Sequence, residues 1–352
     1  MMKIRTIDWK NNKIRLIDQT KLPCKFVYLD IDNLKSLWQA IKELKVRGAP
    51  ALGAAAGLGM YLGVKDYPGS DWPGFSLKLK AVAEYIASSR PTARNLFWGI
   101  ERICGVALEN KNKPVAKIKQ IIFTETQKIM QEDMASCRKL GNYGAKLLKN
   151  KNQILTICNA GILATIDYGT ALGVIYSACQ QGKKIKVFSC ETRPLLQGAR
   201  LSAWELYQQG VDVTMIADNT AAHLMSNGKI NAVIAGADRI ASNGDSANKI
   251  GTFNLAILAK YHKIPFYIAA PKSTFDLKIK DGRGIEIEMR KREEVAQILL
   301  KKDTAPKGVK VLNPAFDVTP QQLISGIITD YGIIRRPFFK NIRRILRSDK
   351  CV

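Results

Sequence analysis

The sequence predicts an α/β protein in two parts: a mainly α-helical N-terminal domain with a small β start, then a doubly wound parallel sheet domain. Three observations carry this reading. From residue 153 onward, short β-branched apolar runs alternate with helical patterns, which is the grammar of βαβ units. Before residue 150 the apolar residues recur mostly at helical spacing. The polar run Lys149-Asn150-Lys151-Asn152 separates the two regimes and places domains at 1–150 and 151–352. The second domain is Rossmann-like in its strand–helix alternation. It carries no GxGxxG fingerprint and no Walker motif, so neither a dinucleotide nor ATP is indicated.

In chain order, residues 3–19 read as strand, turn, strand, with Asn11-Asn12 supplying the turn. Leu34–Lys45 has helical spacing at Leu34, Leu37, Ile41 and Leu44. The run Val46-Arg47-Gly48-Ala49-Pro50 then opens a small-residue helix over Gly48–Val64, with Pro50 suited to its first turn. A glycine turn beside an arginine at a helix entrance makes a phosphate cradle of outward N–H groups and a charged fork. The same glycine also serves a helix that simply packs closely. Asp66–Ser76 carries two Pro-Gly pairs and reads as a loop. Leu77–Ser88 and Leu96–Leu108 read as helices, joined by Arg90-Pro91-Thr92-Ala93-Arg94-Asn95. Arg90 there is either an anion ligand or a partner in a surface ion pair. Ile118–Leu148 reads as one or two helices.

The strands expected after the break are Ile154–Cys158, Ile185–Ser189, Val211–Ile216, Ala232–Ala235 and Phe266–Ala270. Asn159-Ala160-Gly161 is a turn, and Ile162–Tyr176 is expected to follow as a helix. Cys158 is then placed at a strand's carboxyl end, facing a helix amino end, where the dipole favours an anion or a thiolate. The plainer alternative is a small buried hydrophobe. Polar residues gather just after the strands: Cys158-Asn159, Glu191-Thr192-Arg193, Asp218-Asn219, Gly236-Ala237-Asp238 and Lys272-Ser273. In an open α/β sheet these meet at one rim, where ligands bind. Asp238, past an apolar strand, is placed either as a general acid kept partly protonated by desolvation or as a turn cap. Asn248-Lys249 precedes a helix over Phe253–Tyr261 and reads as another anion-binding entrance. The tail Arg335–Lys350 sets Phe338, Ile342, Ile345 and Leu346 on one helical face, to dock on the body, meet an anionic surface or extend an oligomer contact.

Composition narrows the classes. The N-terminus is charged from Lys3 onward with no apolar core after it, so no secretory signal is expected. Gly48–Val64 falls short of the ~20 residues of a membrane span. The chain has seven scattered cysteines and two histidines, His223 and His262, with no CxxC, so no metal site is expected and a reducing cytoplasm fits. Net charge is +25, but the lysines are spread along the whole chain rather than gathered in a stripe. That suits attraction of anionic metabolites, and nucleic acid is not expected as the partner.

Several long motifs in order, VRGAPALG, RPTARNL, CNAGILAT, ETRPLLQGARLSAWEL, DNTAAHLM, GADRIASNGDSANKIGT and NPAFDVTP, resemble the 5-methylthioribose-1-phosphate isomerases. The resemblance runs from about Ile4 to Ile334. The same fold class includes regulatory subunits of the eukaryotic translation initiation exchange factor and ribose-1,5-bisphosphate isomerases. What the resemblance implies is a cytoplasmic, homodimeric aldose–ketose isomerase of methionine salvage acting on a sugar phosphate without metal or organic cofactor. By the same resemblance Cys158 is the catalytic cysteine and Asp238 the proton donor. Arg47, Gly48, Ala49, Arg90, Gln197, Asn248 and Lys249 match substrate-binding positions. Ile157 stands where the family usually has histidine. The basic tail and the basic stretch 280–292 also depart from the family pattern.

Overall fold

The chain begins with a three-stranded antiparallel sheet, β1 (Ile7–Lys10), β2 (Lys13–Ile17) and β3 (Tyr28–Ile31). The structure is a computed structural model that describes residues 4–297, 303–306 and 308–347. Asn11 and Asn12 join β1 to β2 with φ of 52° and 59°, the positive values that a tight primed hairpin turn needs and that asparagine tolerates. The strand β3 escapes the sequence reading because only Ile31 of its four residues is buried, so no alternation shows.

Four helices and the start of a fifth complete this unit: α1 (Leu34–Lys42), α2 (Ala49–Val64), α3 (Trp72–Ala87), α4 (Arg94–Glu109) and α5 (Val115–Ala145). Asn33 caps α1 by accepting from the Ser36 N–H at 2.9 Å. The helix stops short of the expected Lys45, with Leu44 turned to φ 60°. Buried on nearly every side, α2 is why that stretch is all small or apolar residues. The loop expected over Asp66–Ser76 is half helix. Asp71 accepts from the Gly74 N–H at 2.7 Å and Pro73 sits in the first turn, so the Pro-Gly pair starts α3 rather than breaking the chain. The stretch expected as one or two helices is a single one, α5.

Contacts divide the described residues into two compact units. One holds residues up to 137 together with 162–169; the other holds 138–161 and 170 onward. The Lys149–Asn152 break thus lies inside the second unit, and α5 contains the boundary.

The second unit holds a seven-stranded sheet among the described residues, ordered β14-β13-β10-β7-β4-β5-β6. Its strands are β4 (Gln153–Thr156), β5 (Lys186–Cys190), β6 (Asp212–Ile216), β7 (Ala232–Ala235), β10 (Phe266–Ala269), β13 (Gly326–Thr329) and β14 (Gly332–Ile334). The first six are parallel and β14 pairs antiparallel with β13 at the edge. From β4 the chain lays β5 and β6 on one side, then returns to lay β7, β10 and β13 on the other. This is the doubly wound order, with its reversal between β4 and β7. The helices α6 (Ala171–Gln180), α7 (Ala203–Gln208), α8 (Ala221–Ser226) and α9 (Thr252–Tyr261) alternate with the parallel strands.

A second, four-stranded sheet was not expected: β8 (Arg239–Ala241), β9 (Ser246–Lys249), β11 (Phe275–Asp276) and β12 (Phe316–Thr319), in the order β11-β8-β9-β12. After the short α10 (Arg292–Ala296) and β14, α11 (Phe338–Arg347) closes the described chain. Of the three readings of the tail, docking is the one seen: Phe338 and Ile342 are buried in the sheet unit's core, with Ile345 and Leu346 packed beside them. Residues 348–350 of that tail and Cys351 lie outside the described residues.

Candidate active site

The reversal of strand order puts Cys158 and Asp238 beyond the carboxyl ends of adjacent strands. In register, Leu155 of β4 lies opposite Val233 of β7, and the Thr156 hydroxyl donates to the Ile234 carbonyl at 2.8 Å. Cys158 follows β4 by two residues and Asp238 follows β7 by three. A ligand crevice opens at this point of a doubly wound sheet because connections leave in opposite directions from the two strands.

Local structure at Cys158 differs from the expectation. The strand ends at Thr156, and only a single 3₁₀ turn, Ile162–Ala164, precedes the next helix at Ala171. The backbone groups of 162–166 are held by side chains and backbone of the helical unit instead of by a helix. The Gln19 amide donates to the Leu163 carbonyl at 2.7 Å, Thr6 N–H to the Ile166 carbonyl at 2.9 Å, and the Asp133 carboxylate accepts from Ile166 N–H at 2.9 Å. The helix dipole that was to favour a thiolate at Cys158 therefore does not come from an immediately following helix.

What holds Cys158 is a set of buried hydrogen bonds. Its φ is 63°, a left-handed value costly for a side chain with a Cβ, and such a residue persists where its surroundings over-determine it. Its N–H donates to Thr192 Oγ1 at 2.8 Å, and its carbonyl accepts from Ser202 Oγ at 2.7 Å. Thr192 also sits at positive φ, 66°, and its hydroxyl donates to the Cys190 carbonyl at 3.0 Å. The Asp218 carboxylate anchors that loop by accepting from the N–H groups of Thr192 and Arg193 at 2.8 and 2.7 Å. Ser202 ends a π-helical turn, Gly198–Ser202. A side chain at Gly198 would run into the Cys190 carbonyl, so glycine is required there. Ile157, in the place of the family's histidine, is buried in the apolar core against Gly251.

The other cysteine nearby has a different character. Burial, reinforced by the Asp218 carboxylate, pushes the Cys190 thiol up, so it stays protonated at neutral pH as a small apolar group.

Gln197 is 5% exposed at the start of the π-helical turn, and its Oε1 has no hydrogen-bond partner among the described residues. A buried acceptor left open is costly unless a ligand or water fills it. Asn248 and Lys249 end β9, just before the N-cap Gly251 of α9, so the expected strand-side entrance to that helix is present. Asn248 donates to Thr252 Oγ1 at 3.0 Å; Lys249 Nζ donates to the Ala315 carbonyl at 2.8 Å and sits 4.6 Å over the Phe316 ring. The anion at the amino end of α9 is the protein's own: Asp317 accepts from the N–H groups of Gly251 and Phe253 at 2.6 and 3.1 Å. Burial pushes the Asp317 carboxyl up to about 6, against those bonds and the Lys249 charge.

The helical unit carries Arg47, Gly48, Ala49 and Arg90. Gly48, at φ 93° and ψ 138°, precedes α2, and a side chain there would collide with the backbone of Ala164. Arg47 is buried and its Nε donates to Gln19 Oε1 at 3.0 Å. Arg90 is half-buried in the turn before α4. Gly53 of α2 lies against Asn95 and Trp98 of α4, and Ala56 against Gly99, so contacts advance together along both helices. The two helices therefore run in the same direction, with their amino ends on one side. Neither end has a side-chain cap. Aligned dipoles repel, and an anion at their shared positive end relieves that repulsion.

Sequence reasoning named Thr192 and Asp218 only as rim residues, and missed Gln19, Ser202, Glu205 and Asp317 as supports. All but Gln19 fall inside motifs already singled out, but their partners lie 25 to 66 positions away in the chain. Among the described residues no group of three or more His, Cys, Asp or Glu side chains is gathered as for a metal ion, and no helix is long and apolar enough to cross a membrane.

Residues 45–336 match the Initiation factor 2 subunit family. Within it the chain belongs to the methylthioribose-1-phosphate isomerase family. It is 50% identical over 345 residues to the methylthioribose-1-phosphate isomerase of Geobacter sp. (strain M21), covering 98% of this chain and 99% of that one. It is 51% identical over 346 residues to the 5-deoxyribose 1-phosphate isomerase of Moorella thermoacetica, covering 98% of each. The crystal structure of 5-methylthioribose 1-phosphate isomerase from Pyrococcus horikoshii superposes with a TM-score of 0.90 at 43% identity, over 98% of this chain and 96% of that one.

Proposed function

We propose that this protein is an aldose–ketose isomerase that converts 5-methylthioribose 1-phosphate to 5-methylthioribulose 1-phosphate. The observation that carries the reading is the placement of Cys158 and Asp238 just beyond adjacent strands at the sheet's reversal. Full-length relatives at half identity supply the reaction. A phosphate ester at C1 locks the sugar as a ring, so an acid must first protonate the ring oxygen as its bond to C1 breaks. Asp238 takes that role. A hydrogen must then pass from C2 to C1 while the C2 hydroxyl gives up its proton, leaving a ketone at C2 and balancing the proton taken by the ring oxygen. In a proton route, Cys158 as thiolate removes the C2 proton and C1 is reprotonated; in a hydride route, the hydrogen moves with its electron pair. Arg47, Gly48, Ala49, Arg90, Gln197, Asn248 and Lys249 hold the substrate. Within the sheet unit, the open Gln197 Oε1 supports the assignment of Gln197, as a substrate hydroxyl would satisfy it. Taken by themselves, the uncapped amino ends of α2 and α4 are suited to an anion.

A second reading has a specific observation behind it: the 51% identical relative is named for 5-deoxyribose 1-phosphate. That sugar differs only in lacking the methylthio group at C5. The test is a panel of 5-methylthioribose 1-phosphate, 5-deoxyribose 1-phosphate and ribose 1,5-bisphosphate, with ketose formation followed by NMR in D₂O. Turnover of the methylthio sugar, with Cys158→Ala and Asp238→Asn slowed by about 10²–10⁴ or more, is the expected result. Deuterium at C1 of the product marks the proton route. Turnover of the bisphosphate alone, or near-wild-type rates in either variant, would overturn the assignment. We further propose a homodimer in the cytoplasm; a monomer in sedimentation at working concentration would refute the dimer.

A further inference from the structure

Glu205 is a side chain with no exposed surface, on α7. Burying an ionisable group is costly unless its oxygens are fully used. Tyr176 Oη donates to its Oε1 at 2.7 Å and Asn159 Nδ2 donates to its Oε2 at 3.0 Å. The second Asn159 amide hydrogen goes to Ser202 Oγ at 3.1 Å, and the Ser202 hydroxyl donates to the Cys158 carbonyl at 2.7 Å. A side chain at Gly161 would strike the same carboxylate, so both ends of the turn Cys158–Gly161 meet Glu205 or its partners.

The direction of these bonds has a single source. Both Glu205 oxygens accept, so they fix which face of the Asn159 amide carries the NH₂ group. That NH₂ group occupies a lone pair of Ser202 Oγ. The one hydroxyl proton of Ser202 is then committed to the Cys158 carbonyl. With glutamine at 205, one of the two oxygens becomes a donor facing a donor. If the Asn159 amide flips to relieve this, it can no longer donate to Ser202.

We propose that Glu205 is a positioning residue for the isomerisation: it acts through Asn159 and Ser202 to hold the left-handed backbone of Cys158 and thereby aim its thiol. The proposal rests on the reading of Cys158 as the catalytic cysteine. The experiment compares Glu205→Gln, Ser202→Ala and the double variant in the full chain. Steady-state kinetics with 5-methylthioribose 1-phosphate is one readout, and hydrogen exchange of the amides over 153–169 without substrate is the other.

Each single variant is expected to lower kcat by roughly 10- to 100-fold, since a displacement of about 1 Å costs that much, with KM changed less. The double variant is expected within about threefold of the worse single one, because both break one chain of bonds. Exchange at Cys158–Gly161 rises in both while the β4 amides stay protected. Wild-type kcat in Glu205→Gln, multiplicative losses in the double variant, or unchanged exchange in the turn would overturn the proposal. Should Glu205→Gln fail to fold, Ser202→Ala alone decides: an unchanged kcat and unchanged exchange refute the chain, and losses in both support it. A wild-type protein that turns over none of the sugars refutes the activity reading, while the exchange comparison still judges the positioning.

Discussion

Replacing Thr192 with valine tests how the turn at Cys158 is held. Valine matches threonine in shape and branching, so it inherits the same positive φ and leaves the packing as it was. What disappears is one hydroxyl that joins two strand ends: it accepts from the Cys158 N–H and donates to the Cys190 carbonyl. Thr192 has no exposed surface, so no water readily replaces it. An unpaired buried N–H costs about 1–3 kcal/mol and the lost bond to the carbonyl about 1 kcal/mol, for a total of about 2–4 kcal/mol. In a unit of this size that lowers the melting temperature by roughly 5–15 °C. The assay is thermal and urea unfolding of Thr192→Val beside Thr192→Ser, which keeps the hydroxyl and is expected to remain the more stable of the two. The valine variant is also expected to lose about tenfold or more in kcat, because Cys158 is no longer fixed. Equal melting temperatures for the valine and serine variants, to within about 2 °C, would refute the argument that the hydroxyl holds this turn.

Gly48→Ala forces a Cβ into the Ala164 backbone at a φ and ψ that side chains avoid; a loss of roughly 2–6 kcal/mol is expected, and a denaturation midpoint near wild type would contradict it. Asp317 gives a pH dependence of definite sign. Its carboxyl is raised in the fold to about 6, so its contribution is fully present below the unfolded value near 3.8 and is lost as pH rises through about 6. The two-unit difference corresponds to about 3 kcal/mol, and Asp317→Asn is expected to flatten that part of the stability profile; an unchanged slope between pH 4 and about pH 7 would exclude Asp317 as its source. Gly198→Ala is expected to disrupt the π-helical turn against the Cys190 carbonyl, losing kcat together with stability; a fully active variant would show the contact is not needed.

The sequence by itself determined the class of each half. Pattern decided it: short continuous apolar runs in one half and helical spacing in the other follow from which faces must be buried, and that is local information. It also marked Cys158 and Asp238, since strand ends in an open α/β sheet are readable wherever strand and turn adjoin. Tertiary structure decided the rest. The helix expected over Ile162–Tyr176 has the right apolar content. Its first half is nevertheless drawn into the helical unit by Gln19, Thr6 and Asp133, groups no local window contains. The amino end of α9, open in any local reading of Asn248-Lys249, is occupied by Asp317 of β12 from 66 positions away. The left-handed backbone at Cys158 is likewise invisible in its neighbours. It is imposed by Thr192 and Ser202, which reach it only because the sheet's parallel order sets their loops beside it.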